Sequence, residues 1–318
     1  MASMTHSTPT ARYIDPDALL RIRSLELRVK AVMEGFVTGL HRSPFHGFSV
    51  EFSEYRQFTN GDDPRFLDWK VVARSDRYYI KRFEDETNLR CHLLVDNSRS
   101  MSYGSSGVSK AEYAKTLAAC LAYSLTQQRD AVGLVLFDEQ VEDLLPARFR
   151  HGQLRQILVS LERATGGQST NLLAPLERVA SQVRKRGLVI LISDLLAPTE
   201  GLERALTALS ACGHELAVFQ TLDPRELDFG FDSAALFVDQ ESGRELYVDP
   251  LTVRSTYQQR LAAHLSELRT LCDKLGAIYH LVPTNQPLEI LLGEFFTESQ
   301  RLKSRGRMAR RTAAGGRT

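Results

Sequence analysis

Asp96, Ser98 and Ser100 follow directly on the apolar run of Cys91 to Val95, placing three oxygen-bearing side chains at alternate positions. In extended backbone, alternate side chains point the same way, so the three can converge on one point. A second apolar run, Gly187 to Ile192, ends in Ser193 and Asp194. Between the two, the stretch Thr165 to Asn171 carries Ser169 and Thr170 beside Gly166 and Gly167, which free the backbone to bend. The set holds hydroxyls and carboxylates, with no thiol or imidazole. Oxygen-only donors suit hard cations such as Mg²⁺, Mn²⁺ or Ca²⁺. Asp96 and Asp194 formally balance a divalent ion, whereas hydroxyls donate weakly. An open position would therefore favour an incoming anionic oxygen, a Glu or Asp from a partner. Asp and Ser are also favoured just before helices, so Asp96, Ser98 and Ser100 taken alone fit a helix-cap cluster equally well.

The surrounding pattern dictates how these residues would be held. From residue 89 onward, short apolar runs alternate with helical periodicities of crossover length. This predicts an α/β domain with a doubly wound, mostly parallel sheet, helices on both faces and ligands beyond the carboxyl ends of the strands. Residues 131–137 and 141–147 are joined by too few residues for a crossover, which predicts an antiparallel edge strand. Residues 235–249 read as a hairpin insert, residues 250–275 as a long helix, 277–282 as a strand and 287–296 as a last helix.

Four segments are expected: a disordered 1–15; 16–88, a helix and a charged segment containing Trp69, packed on the core; 89–300, the α/β domain; and 301–318, a disordered basic tail. Asp15 before Pro16 is the predicted cap of the first helix. The 318 residues carry a formal charge of +1, and the seven basic residues from Arg301 to Arg317 leave residues 1–300 at −6. That acidic body argues against a nucleic-acid partner. No apolar stretch approaches the roughly 20 residues needed to span a bilayer. The polar N-terminus lacks a leader-like apolar run, so the expected location is cytoplasmic. Cys91, Cys120, Cys212 and Cys272 are widely spaced and read as free thiols.

These residues carry a family resemblance. Asp96, Ser98 and Ser100, a later Thr170 and a still later Asp194 resemble the metal-ion-dependent adhesion site of von Willebrand factor A domains. Ser169 is the alternative to Thr170, and Asp194-Leu195-Leu196 replaces the Asp-Gly of many adhesion domains. The upstream stretch from His41 to Glu86, followed by Leu93 to Met101, resembles the domain-of-unknown-function 58 family. That resemblance implies a von Willebrand factor A-like fold and a MoxR-type AAA+ ATPase as partner. It implies no established catalytic activity. The function expected is a metal-dependent protein-interaction module in which a client's carboxylate completes the ion's coordination.

Two other classes fit part of the pattern. In a Mg²⁺-dependent phosphohydrolase, Asp96 would be the nucleophile. Its usual general acid would stand two positions on, where this chain has Ser98, and Asp194 lacks a second acidic neighbour. A metal-free structural version of the fold would use the same side chains as caps. Neither a phosphate-binding Walker loop nor a serine-hydrolase elbow is present.

Overall fold

The structure is a computed structural model that describes residues 13–42, 55–57, 79–81, 89–163, 167, 173–183, 185–231, 233–239 and 243–315. The chain divides into two compact units, one of residues 1–44 with 89–318 and the other of residues 45–88. The first two helices, α1 (Pro16–Leu20) and α2 (Leu25–Arg42), thus belong with the large unit. They do not group with the charged segment, as the expected 16–88 division had it. Within the smaller unit, β1 (Tyr55–Gln57) pairs antiparallel with β2 (Tyr79–Lys81). Trp69 and most of its charged neighbours lie outside the described residues, as does the expected disorder of residues 1–12.

Helical periodicity runs through residues 16–42, yet the helix breaks at residues 21–24. Asp15 caps α1 by accepting from Asp17 N at 3.3 Å, as expected. The chain restarts at Leu25, whose amide donates to Glu162 Oε1 at 3.1 Å. Ser24 stands at the cap of this second helix, its Oγ accepting from Leu27 N at 3.4 Å, so a local cap and a tertiary anchor fix the start together.

The large unit is built on β3 (Arg90–Asp96), β4 (Ala131–Phe137), β5 (Val141–Arg148), β6 (Leu188–Ser193), β7 (Glu215–Leu222) and β10 (Ile278–Pro283). Their order in the sheet is β10-β7-β6-β3-β4-β5. All neighbours are parallel except β4 and β5, so β5 is the antiparallel edge strand. Counting only this sheet, the order is 3-2-1-4-5-6, the doubly wound arrangement whose switch point lies between the first and fourth strands. Those strands are β3 and β6, the two that end in Asp96 and Ser193.

Helices cover both faces. On one side Cys91, Leu93 and Val95 of β3 and Ile190 and Ile192 of β6 pack among residues of α2, α3 (Lys110–Gln127), α4 (Gln153–Arg163) and α9 (Leu288–Gly315). On the other, Leu94, Val189 and Leu191 pack among residues of α5 (Leu173–Gln182), α6 (Thr199–Ala211) and α8 (Pro250–Leu275). The strand period of two thus sorts each strand between two cores, which explains why β4 and β6 are apolar throughout. A short helix, α7 (Pro224–Asp228), follows β7, and the insert forms an antiparallel hairpin of β8 (Ala235–Val238) and β9 (Glu245–Val248). Helix α9 runs through Gly315, so the basic residues expected in a disordered tail continue a helix. Arg, Lys, Met and Ala are good helix formers, and no proline interrupts them.

Candidate metal centre at the switch point

Parallel pairing of β3 with β6 puts Val95 opposite Ile192, so the next residues, Asp96 and Ser193, emerge side by side. Ser193 Oγ donates to Asp96 Oδ2 at 2.5 Å and accepts from Leu195 N at 3.1 Å. The other carboxylate oxygen, Asp96 Oδ1, accepts from Ser98 N at 2.9 Å, closing a tight Asx turn. The turn leads into a single 3₁₀ turn over Arg99–Ser102. It also brings Ser98 Oγ to 3.1 Å from Ser100 Oγ. Ser98 caps no backbone amide of that turn, so the hydroxyl pair is not a helix cap.

Asp194 begins the chain reversal after β6. The next residue, Leu195, has φ of 51°, in the left-handed region that a branched side chain rarely adopts. The turn is held from three sides. Gln220 Nε2 donates to Asp194 O at 2.9 Å, His264 Nε2 lies 2.7 Å from Leu195 O, and Leu195 is itself buried. Asp96, Ser98 and Asp194 are each 1% exposed.

The structure thus brings together Asp96, Ser98, Ser100 and Asp194. Ser169 and Thr170 lie outside the described residues. The nearest described part of their loop is Gly167, whose amide donates to Asn97 O at 2.6 Å. A Cβ at Gly167 would come within 2.6 Å of the Asp138 side chain, so only glycine permits this approach.

One member of the site escapes a reading based on oxygen donors. Lys110, the first residue of α3, is 0% exposed. Its ammonium donates to Asp194 Oδ2 at 2.8 Å and to Glu226 Oε1 at 2.7 Å. A cation in the first turn of a helix is disfavoured by the helix dipole. Its position right after the Ser109 cap, where the dipole disfavours a cation, is the one local hint that it has a partner. Glu226 has its own signal: Asp223-Pro224-Arg225-Glu226 is a capping box after an apolar strand, and both reciprocal bonds form. Asp223 also accepts from Ser105 N at 2.8 Å and from Ser105 Oγ at 2.6 Å. The loop beyond the 3₁₀ turn is thereby fastened to the end of β7.

Burial, then the neighbouring Asp194 carboxylate, pushes the Asp96 carboxyl up to about 7; the bonds from Ser193 and Ser98 oppose this. Burial works against charge on Lys110, but Asp194 and Glu226 outweigh it and hold the ammonium above its usual range. Glu226 is raised by burial, against the pull of Lys110.

Among the described residues, no group of three or more His, Cys, Asp or Glu side chains forms a metal site. The donors available are carboxylates mixed with hydroxyls, and this set fits a hard cation. Ligands about 2.1 Å from an octahedral Mg²⁺ lie about 3 Å from their neighbours. The 3.1 Å between Ser98 Oγ and Ser100 Oγ matches one such edge. Asp96 beside them is a buried carboxylate with no cation of its own in the contacts above. Asp194 differs, since its Oδ2 is held by Lys110 and, among the described residues, its Oδ1 accepts a long 3.4 Å contact from Leu196 N.

The strand order, with its antiparallel edge strand, is that of a von Willebrand factor A-like α/β domain. Residues 54–267 match the family described as "Protein of unknown function DUF58", and the chain belongs to that family. An uncharacterized protein of Mycobacterium tuberculosis is 29% identical over 269 residues, covering 83% of this chain and 84% of the relative. One of Mycobacterium avium is 29% identical over 138 residues, covering 42% of this chain and 80% of its own. Among solved structures, BatB from Bacteroides thetaiotaomicron aligns with a TM-score of 0.43 at 15% identity, covering 67% of this chain and 99% of that one. The SpRpn10 VWA domain aligns at 0.39 and 12% identity, covering 65% and 95%. Strand order, not these overlaps, carries the fold assignment. No helix among the described residues is long and apolar enough to cross a membrane.

Proposed function

We propose that this chain is a metal-dependent protein-interaction module that acts with a MoxR-type AAA+ ATPase. A von Willebrand factor A-like fold is one that serves protein interaction. The observation that carries the metal-dependent reading is the pair of Ser98 and Ser100 hydroxyls, 3.1 Å apart beside the buried Asp96 carboxylate at the switch point. Asp96, Ser98 and Ser100 would hold Mg²⁺ or Mn²⁺, with Asp194 and Thr170 (or Ser169) completing the set. A bound ion would supply a Lewis-acidic centre with a position open to a client's carboxylate oxygen. The chain's own residues orient that centre: Ser193 and the Ser98 amide fix the Asp96 carboxylate, and Asp223 fixes the loop beyond Ser100. The ATPase partner follows from the family resemblance of residues 41–101. No observation favours the phosphohydrolase, since Ser98 approaches Ser100 where a general acid would be needed.

The test is capture of partners from the native lysate by the tagged chain, with Mg²⁺ and with chelator. The reading predicts an AAA+ ATPase retained by wild type in Mg²⁺ and lost in chelator or with Asp96→Ala. Equal retention in all three would contradict it.

A further inference from the structure

We propose that Lys110 is a built-in counter-cation that sets the affinity of the switch-point site for its divalent ion. The inference rests on the metal-binding reading above and assigns a role to residues outside the ligand set. Three facts converge on it. Lys110 is fully buried at a helix N-terminus, where a cation needs strong compensation. Its ammonium takes one oxygen of Asp194, a carboxylate of the expected ligand set. Its other partner, Glu226, comes from a different element, α7, and is not in that set.

The charge balance then has a definite form. Asp96, Asp194 and Glu226 are three carboxylates against one ammonium, and a divalent ion makes the cluster neutral. Lys110 repels that ion and already satisfies part of Asp194, so it weakens binding. Glu226 offsets Lys110 and strengthens binding. With both present, the site holds the charge of a simple two-carboxylate centre. Asp194 is meanwhile kept in place when the ion leaves, so metal exchange does not expose two unpaired buried carboxylates. Lys110 is therefore a positioning residue. It also ties the site to α7, where Tyr257 Oη donates to Glu226 O at 2.8 Å and Arg254 holds Phe229 O and Phe231 O.

The experiment is a Mn²⁺ titration of the purified full chain, read by electron paramagnetic resonance of free Mn²⁺, with a thermal melt of each variant. Lys110→Met should bind Mn²⁺ about tenfold more tightly or better, as expected for losing one nearby like charge at an effective dielectric near 20. It should also be less stable in chelator and regain stability with Mn²⁺. Glu226→Gln retains an acceptor for Asp223 N and should bind about tenfold more weakly, by the same electrostatics with the sign reversed. The double variant should return to within about threefold of wild type, because the paired charges cancel. If Lys110→Met does not fold in chelator, Glu226→Gln alone decides. Unchanged or tighter binding by Glu226→Gln, or variants that all shift together, would overturn the role of Lys110 while leaving the metal site standing. No Mn²⁺ binding by wild type would overturn the metal reading, and this inference with it.

Discussion

Replacing Asp96 with asparagine should stabilise the metal-free protein at alkaline pH and not at acid pH. Asp96 is wholly buried and lies beside Asp194, so its charged form is disfavoured when no cation is bound. Its carboxyl sits at about 7 in the folded protein against an ordinary 3.8. Between those values the folded state binds more protons than the unfolded chain, so stability falls as pH rises through that window. Holding the charged form buried beside a second carboxylate makes the loss above pH 7 on the order of a few kcal/mol. Asparagine removes this term. It can accept from Ser98 N as Asp96 does, but its amide then faces Ser193 Oγ, which now donates to Asp96. Rearranging that one bond costs about 1 kcal/mol. The net gain at about pH 8 is therefore on the order of 1–3 kcal/mol, a rise of roughly several degrees in Tm for a domain of this size. At about pH 4 and below, where Asp96 is largely protonated in the unfolded chain as well as the folded one, the variant should melt at or slightly below wild type. The assay is a melt in chelator across that pH range. Adding Mg²⁺ should raise wild type and leave the variant unmoved. A variant that melts below wild type at about pH 8 in chelator would refute the reasoning, because ionised Asp96 would then be stabilising without a metal.

Three further outcomes follow from particular contacts. Gly133→Ala would bring a Cβ within 2.6 Å of Ala147 N and 2.7 Å of Leu145 O, both backbone of the edge strand; it should lower stability by about 1–3 kcal/mol in a urea titration. Asp223→Ala removes the acceptor for Ser105 N and Oγ and the α7 capping box together. It should raise hydrogen exchange at residues 103–109 and 224–228 while the central strands stay protected. Ser193→Ala deletes the hydroxyl between Asp96 Oδ2 and Leu195 N and should cost about 1–3 kcal/mol, visible in the melt.

Much of this architecture is written locally. Apolar runs ending in Asp96 and Ser193 mark two parallel strands, and the short link from Phe137 to Val141 marks the antiparallel edge. Alternation between the two cores explains why those strands look uniformly apolar. Asp96, Ser98 and Ser100 are legible because a strand period aligns them. Asp194 is legible because it stands at the corresponding end of another strand. The restart at Leu25 is half legible, since the Ser24 cap is local but the anchor on Glu162 lies more than a hundred residues away. Lys110 and Glu226 were missed for a related reason. Each looks like an ordinary surface charge on a helix, and only the fold shows that both turn inward to share Asp194. Their cues, a lysine at the first helical position and a capping box after a strand, mark helix starts and carry no sign of burial or of the shared partner. The tail misleads in the opposite way: high positive charge suggests disorder, but helix propensity continues α9 to Gly315.

The central claim is that the switch point holds a divalent ion, and direct Mn²⁺ binding to the purified chain tests it. One ion should bind per wild-type chain, be displaced by Mg²⁺, and be lost in both Asp96→Ala and the Ser98→Ala, Ser100→Ala double variant, with the fold intact by circular dichroism. Binding that survives both variants, or no binding by wild type at millimolar Mn²⁺, would contradict it.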